Sequence, residues 1–269
     1  LIDRKNEFYR ITTSLKREDT QFVVIYGRRR IGKSTLLKHI VNAKENAIYF
    51  LSDSSSETIQ RAAFAKSVAA VIDGFDKVIY PDWETLFRSI NHQLTHRTVI
   101  CMDEFPYLVK SCEALPSIIQ KLLNEKNLKF DLILCGSSQQ LMHGYVLNKQ
   151  SPLYGLANEI IKMQPIPFRY IGVALECDAV QAVKEFAIWG GVPRYWEVRR
   201  DYPDTETAIR KVLLDPQGVL IEEPQRLLRD DMRDTVQATS ILTIIGNGAN
   251  KPSEIASRVG KDTSAISEP

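Results

Sequence analysis

Five short apolar runs, near residues 21–26, 47–52, 98–103, 131–136 and 159–164, punctuate the first two-thirds of this chain. Runs of this length, bounded by turn-forming residues, read as strands buried on both faces. Between them lie stretches with apolar residues at helical spacing. One carries Ile59, Ala62, Ala63, Val68, Ala69 and Ile72, the next Trp83, Leu86, Phe87, Ile90 and Leu94, and a third Leu115, Ile118, Ile119, Leu122 and Leu123. Each is expected to be a helix packed on the sheet by that face. Strand and helix in alternation predict an α/β fold in three layers around a parallel five-stranded sheet. After Pro165-Ile166-Pro167 the strand signals stop and helical patterns follow over 179–189, 204–214 and 223–232. Paired prolines suit a boundary, because neither can donate a backbone hydrogen bond. The expected division is therefore a core over 1–165, a helical segment over 166–232 and a further unit over 233–269.

Composition permits this plan and excludes some others. With 269 residues and 44% hydrophobic content the chain can bury a sizeable core. Thirty-five basic residues against 33 acidic leave a net charge of +2, so no global field recruits nucleic acid or an anionic membrane. Cys101, Cys112, Cys135 and Cys177 are widely spaced with no C-x-x-C pair, and two fall inside strand signals, where a thiol behaves as a small hydrophobe. No apolar run approaches the roughly 20 residues needed to span a bilayer, and the N-terminal residues carry no secretory pattern. A reduced cytoplasmic protein is expected.

The most informative chemistry sits behind the first strand. Gly27-Arg28-Arg29-Arg30-Ile31-Gly32-Lys33-Ser34 fits the phosphate-loop pattern G-x-x-x-x-G-K-[ST], between apolar Phe22 to Tyr26 and helix-like Thr35-Leu36-Leu37-Lys38. Strand, glycine loop and helix in that order aim successive backbone N–H groups at one anion. Lys33 adds a charge for the β- and γ-phosphates, and the Ser34 hydroxyl can ligate Mg²⁺. A second strand, Thr98 to Met102, ends in Asp103-Glu104 and resembles the acidic strand of such sites. Asp103 is placed to hold the Mg²⁺ shell, since magnesium keeps most of its waters and takes one or two carboxylates. Glu104 is placed to orient the attacking water or take its proton. A third strand ends in Gly136-Ser137-Ser138. Either serine could sense the γ-phosphate there, or cap the helix that follows.

Together these segments resemble the archaeal-type ATPases of prokaryotes, relatives of the AAA+ and STAND signal-transducing ATPases. The likeness rests on Leu1 to Phe8, Tyr26 to Ser34, Asp103-Glu104-Phe105, Cys135 to Ser138, Ser151-Pro152-Leu153-Tyr154-Gly155 and Gly190-Gly191-Val192-Pro193-Arg194-Tyr195. It implies ATP or ADP as ligand with Mg²⁺. It also implies nucleotide contacts from the loop residues through Thr35 and from Arg4, a lid whose Pro193 region closes over the nucleotide, and a C-terminal winged-helix domain. One departure is Leu156, where relatives usually carry arginine after Tyr-Gly. If that arginine serves as a finger on a neighbouring subunit's nucleotide, its absence favours slow turnover. Arg28, Arg29, Arg30 and Arg194 are conceivable substitutes.

Toward the C-terminus, Val236 to Ile245, Pro252 to Val259 and Thr263 to Ile266 read as three helices separated by glycine-containing turns, the opening of a helix-turn-helix. DNA and a protein surface are both open as its partner, and self-association is compatible with the family layout. His92 and His96 share the spacing of a zinc helix, but Gln93 stands where the catalytic glutamate belongs, so no metal site is expected there. Asn148-Lys149-Gln150-Ser151 lacks the aspartate that reads guanine, which favours adenine. Two readings follow: a Mg²⁺-dependent ATPase driving a conformational switch, or a nucleotide-gated scaffold with little turnover.

Overall fold

In the computed structural model, residues 2–125, 127–232 and 234–267 are described. They divide into two compact units, 1–197 and 198–269. In the first, the elements run α1 (Lys5–Ser14), β1 (Phe22–Tyr26), α2 (Lys33–Asn42), β2 (Ala47–Leu51), α3 (Glu57–Val68), α4 (Trp83–Gln93) and β3 (Thr98–Asp103). There follow α5 (Phe105–Ser111), α6 (Leu115–Asn124), β4 (Phe130–Gly136), α7 (Gln139–Met142), β5 (Glu159–Lys162), α8 (Ile171–Leu175), α9 (Ala179–Trp189) and α10 (Pro193–Arg200).

The five strands form one sheet in the order β2-β3-β4-β1-β5, with every pairing parallel. Side chains along a strand alternate between its faces, and here the alternation sorts residues into two cores. Phe22, Val24, Ile48, Phe50, Ile100, Met102, Leu132 and Leu134 join the larger core with α3 to α6. Val23, Ile25, Val99, Cys101, Ile133 and Cys135 join Leu36, Leu37 and Ile40 of α2 and Ile11 of α1 on the other face. Double-sided burial is why the strands read as unbroken apolar runs. All four cysteines are free. No helix among the described residues is long and apolar enough to cross a membrane.

The order places β4 between β1 and β3, so the strand ending in Gly-Ser-Ser lies between the glycine loop and the acidic pair. Tyr26 stands opposite Gly136 and Met102 opposite Leu134. Three parallel carboxyl ends therefore open at one edge, where ligands bind in sheets of this kind.

One expectation is corrected. The face of α3 turned inward is Gln60, Arg61, Phe64, Ala65 and Val68, while Ile59, Ala62 and Ala63 are exposed. The polar pair faces inward because it ties loops together. Arg61 donates to the Tyr80 carbonyl at 2.9 Å and to Glu57 at 2.6 Å, and Gln60 Nε2 reaches Ser55 O and Ser111 Oγ, both at 3.2 Å. Strand β5 ends at Lys162, two residues short of the expected 164; beyond it the Gln164 carbonyl is taken by Arg4 and Pro165 has no N–H to donate.

At the opposite edge of the sheet, buried Asp131 accepts from Gln21 N at 2.7 Å and from Arg97 Nε at 3.0 Å, with a second bond to Arg97 Nη2. Arg97 also donates to the Glu18 and Asp19 carbonyls. Arg97→Met strands a buried carboxylate and is expected to cost about 3 kcal/mol, the lower end of the range for broken buried pairs, because Arg97 keeps some solvent contact. Urea denaturation checks this, and an unchanged midpoint would contradict it.

The second unit contains α11 (Thr205–Ala208), continued by a π-helical turn Ile209–Leu214, then α12 (Glu223–Asp231), α13 (Thr235–Gly246), α14 (Pro252–Val259) and α15 (Thr263–Ser267). Asp204 and Asp234 cap α11 and α13 by accepting from Thr207 N and Gln237 N. Gly260 ends α14 in the left-handed region.

Candidate functional site

The glycine loop is held from behind. At Gly27, φ is +149°, and a Cβ there would lie 2.6 Å from the Met163 carbonyl oxygen and 2.9 Å from Ile31 Cδ1. Only glycine lets the chain turn off β1 this close to the neighbouring backbone. Gly27→Ala is expected to lower stability by about 2 to 3 kcal/mol through that collision, read as a drop in thermal midpoint; an unshifted melt would contradict the contact. Gly32, at φ +94°, caps α2, and a Cβ there would meet nothing within 4 Å. Its open side is the space an approaching phosphate needs.

Ile31 is fully buried in the smaller core and anchors the loop between the two glycines. Arg4, only 3% exposed, donates to the Ile31 carbonyl at 2.9 Å and the Gln164 carbonyl at 2.8 Å, and pairs with Glu7 at 3.1 Å. Its guanidinium is committed to bracing the loop. The Lys33 ammonium folds back onto the loop and donates to the Gly27 and Arg28 carbonyls, both at 2.8 Å. Burial lowers its pKa, and the Glu104 and Asp103 carboxylates push the other way. A polyanion entering the loop would restore the solvation that burial removes.

On the acidic strand, Asp103 is fully buried. It accepts from the Tyr49 hydroxyl at 2.8 Å and from Glu104 N at 3.0 Å. Ser52, just after β2, holds the backbone here: its N–H donates to the Asp103 carbonyl at 3.0 Å, and its hydroxyl lies 2.7 Å from that oxygen and 2.6 Å from the Glu104 carbonyl. Glu104 sits in the left-handed region at φ +54°. That turn breaks the strand's alternation and brings its carboxylate to Ser137, which donates from Oγ at 2.8 Å and from N at 3.2 Å. Ser138 accepts from Leu141 N at 3.3 Å and caps α7, one of the roles anticipated for the serine pair.

These groups share a cavity of about 260 Å³. It is lined by Arg29, Arg30, Gly32, Lys33, Ser34 and Thr35 from the loop and α2, by Glu104 and Ser137, and by Pro193, Arg194 and Glu197 of α10. The last three arrive through a tight backbone contact. Ile166 N donates to the Gly191 carbonyl at 2.7 Å, and a Cβ on Gly191 would lie 2.1 Å from the Ile166 carbonyl oxygen. The Pro-Ile-Pro and Gly-Gly segments are thus pressed together. Arg194 pairs with Glu197 at 3.0 Å. Leu156 packs against the larger core, and Asn148 Oδ1 accepts from Gln150 N at 3.1 Å, a turn of the local backbone.

The donor set suits Mg²⁺. A hydroxyl and a carboxylate are hard oxygen ligands, and Asp103 uses two of roughly four acceptor positions within the protein. It suits a polyphosphate as well: a glycine loop at a helix N-terminus, a desolvated ammonium and three arginines line one space. Sequence reading passed over Tyr49, Ser52 and Glu197. Tyr49 and Ser52 could have been found only by knowing that β2 borders β3, with Tyr49 opposite Cys101; Glu197, one helical turn past Pro193, carried a spacing signal that was not used.

A strand, glycine loop and helix facing an acidic strand across an intervening β4 define a phosphate-loop nucleotide-binding α/β protein. Residues 1–171 match the family described as an ATPase domain predominantly from Archaea. The chain belongs to that family, whose general chemistry is the binding and hydrolysis of ATP. An uncharacterized protein of Methanocaldococcus jannaschii is 29% identical over 266 residues, which is 96% of this chain and 57% of that protein's length. The Walker-type ATPase of Pyrococcus abyssi superposes with a TM-score of 0.67 at 20% identity, covering 100% of this chain and 85% of the other. The Aeropyrum pernix ORC1 protein, solved in complex with DNA, does so with a TM-score of 0.58 at 14% identity, covering 99% and 81%. At these identities the likeness to solved structures shows the fold.

Proposed function

We propose that this chain binds ATP with Mg²⁺ and hydrolyses it to drive a regulatory conformational switch. The observation that carries this reading is that Lys33, Glu104 and Ser137 line one cavity with the open side of Gly32, while Asp103 is bonded to Glu104 N beside it. The amides of residues 29–35 and the Lys33 ammonium hold the β- and γ-phosphates, Lys33 exchanging the Gly27 and Arg28 carbonyls for phosphate oxygens. Ser34 and Asp103 would hold Mg²⁺, which neutralises charge on the phosphates when bound. Glu104 orients the attacking water and draws off its proton. For that its carboxylate must turn from Ser137 toward the γ-phosphate. Ser137 is then free to donate to the phosphate, so the Ser137–Glu104 bond distinguishes the resting site from the engaged one.

The proposed layout is an ATPase core over 1–165, a lid over 166–232 bringing Pro193 and Arg194 to the nucleotide, and a unit of winged-helix type over 233–269. Helices α13 to α15 would carry the output to DNA, as the Aeropyrum relative's complex suggests, or to a protein. A second reading, a nucleotide-gated scaffold with little turnover, is favoured by Leu156, which offers no arginine to a neighbouring site. Steady-state phosphate release with Mg²⁺, set beside calorimetric nucleotide binding, separates the two. Binding without release supports the scaffold, and absence of both overturns the nucleotide reading.

A further inference from the structure

Tyr49 belongs to β2, separated from β1 and its glycine loop by β3 and β4, yet its hydroxyl meets the carboxylate expected to hold the metal. It donates to Asp103 Oδ2 at 2.8 Å. Parallel pairing of β2 with β3 sets Tyr49 opposite Cys101, two residues before Asp103. Tyr49 and Asp103 therefore lie on the same face, one pleat apart. The ring is steadied by Lys38 of α2, whose ammonium is 5.5 Å from its centroid.

A carboxylate that ligates Mg²⁺ must present its oxygens in a fixed direction. The Tyr49 hydroxyl, donating to Oδ2, holds the Asp103 carboxylate in one orientation. Side chains that orient metal ligands in this way set affinity without touching the ion.

We propose that Tyr49 is a positioning residue for Mg²⁺, aligning Asp103 so that the cation strengthens nucleotide binding. The inference rests on the nucleotide-binding reading above, and nothing in the glycine loop or the acidic pair requires it.

Calorimetric titration of ADP, with Mg²⁺ and with EDTA, tests it on wild type, Tyr49→Phe, Asp103→Asn and the double variant. Tyr49→Phe keeps the ring over Lys38 and removes one oxygen. The EDTA affinity of Tyr49→Phe should equal that of wild type, which also shows that the variant is folded. Affinity for Mn²⁺ in the ADP complex, read by electron paramagnetic resonance, should fall about 10- to 100-fold in Tyr49→Phe. The double variant should lose no more than Asp103→Asn alone, because Tyr49 acts through that carboxylate; a merely structural role would give additive losses and a weaker EDTA affinity. Equal Mg²⁺ enhancement and Mn²⁺ affinity in wild type and Tyr49→Phe overturn the assignment of Tyr49 while leaving nucleotide binding intact. Failure of the wild type to bind ADP under either condition overturns the parent reading and this one with it.

Discussion

Replacing Lys33 by alanine is expected to abolish nucleotide binding, with affinity for ATP falling by at least about 100-fold, or roughly 3 kcal/mol. The ammonium belongs to a residue that lines the cavity, Lys33 is 5% exposed, and it is desolvated already in the free protein. Its attraction for a phosphate is therefore stronger than that of a solvated surface lysine, whose charge water screens. The substitution also removes the donor that meets the Gly27 and Arg28 carbonyls. A folding control by circular dichroism belongs beside the calorimetry, since freed carbonyls at a loop facing the cavity can be taken up by water. Unchanged ATP affinity in a folded Lys33→Ala protein would contradict the site as described.

Glu104→Gln separates hydrolysis from binding. The amide oxygen can still accept from Ser137, so the resting geometry survives, but the group no longer takes a proton. Steady-state phosphate release should drop by about 10²- to 10⁴-fold, the usual contribution of a positioned general base, while ATP affinity holds. Negligible release by both wild type and variant, with binding intact, would sink the hydrolytic reading in favour of the scaffold. A smaller drop, equal to that of Ser137→Ala, would mean that Glu104 serves to position Ser137 and has no proton to take.

Much of the core was legible because its signals are local. Each of the five apolar runs became a strand, shifted by no more than two residues, since double-sided burial leaves an unbroken hydrophobic string whatever the neighbours are. The glycine loop was legible for a similar reason: Gly27 and Gly32 are demanded by backbone geometry within eight residues. The misread face of α3 shows the limit. Arg61 and Gln60 point inward to hold Tyr80, Ser55 and Ser111, partners distant or irregular in sequence, so helical periodicity chose alanines that face solvent. Which of Ser137 and Ser138 caps α7, and which meets Glu104, likewise could not be read from sequence alone, because both sit at a strand end before a helix.

The sequence alone marked the candidate chemistry: a glycine loop with its lysine and serine at a helix start, and an acidic pair at a strand end. Those follow from residue types at fixed short spacing, where backbone geometry leaves few alternatives. Strand order was decided by the tertiary structure, and with it everything that depends on neighbours in space. Insertion of β4 between β1 and β3 hands Ser137 to Glu104, the border of β2 with β3 hands Tyr49 and Ser52 to Asp103, and the contact of Gly191 with Ile166 brings α10 to the cavity. Such contacts join residues tens of positions apart, and no periodicity along a chain encodes which buried strands will lie side by side.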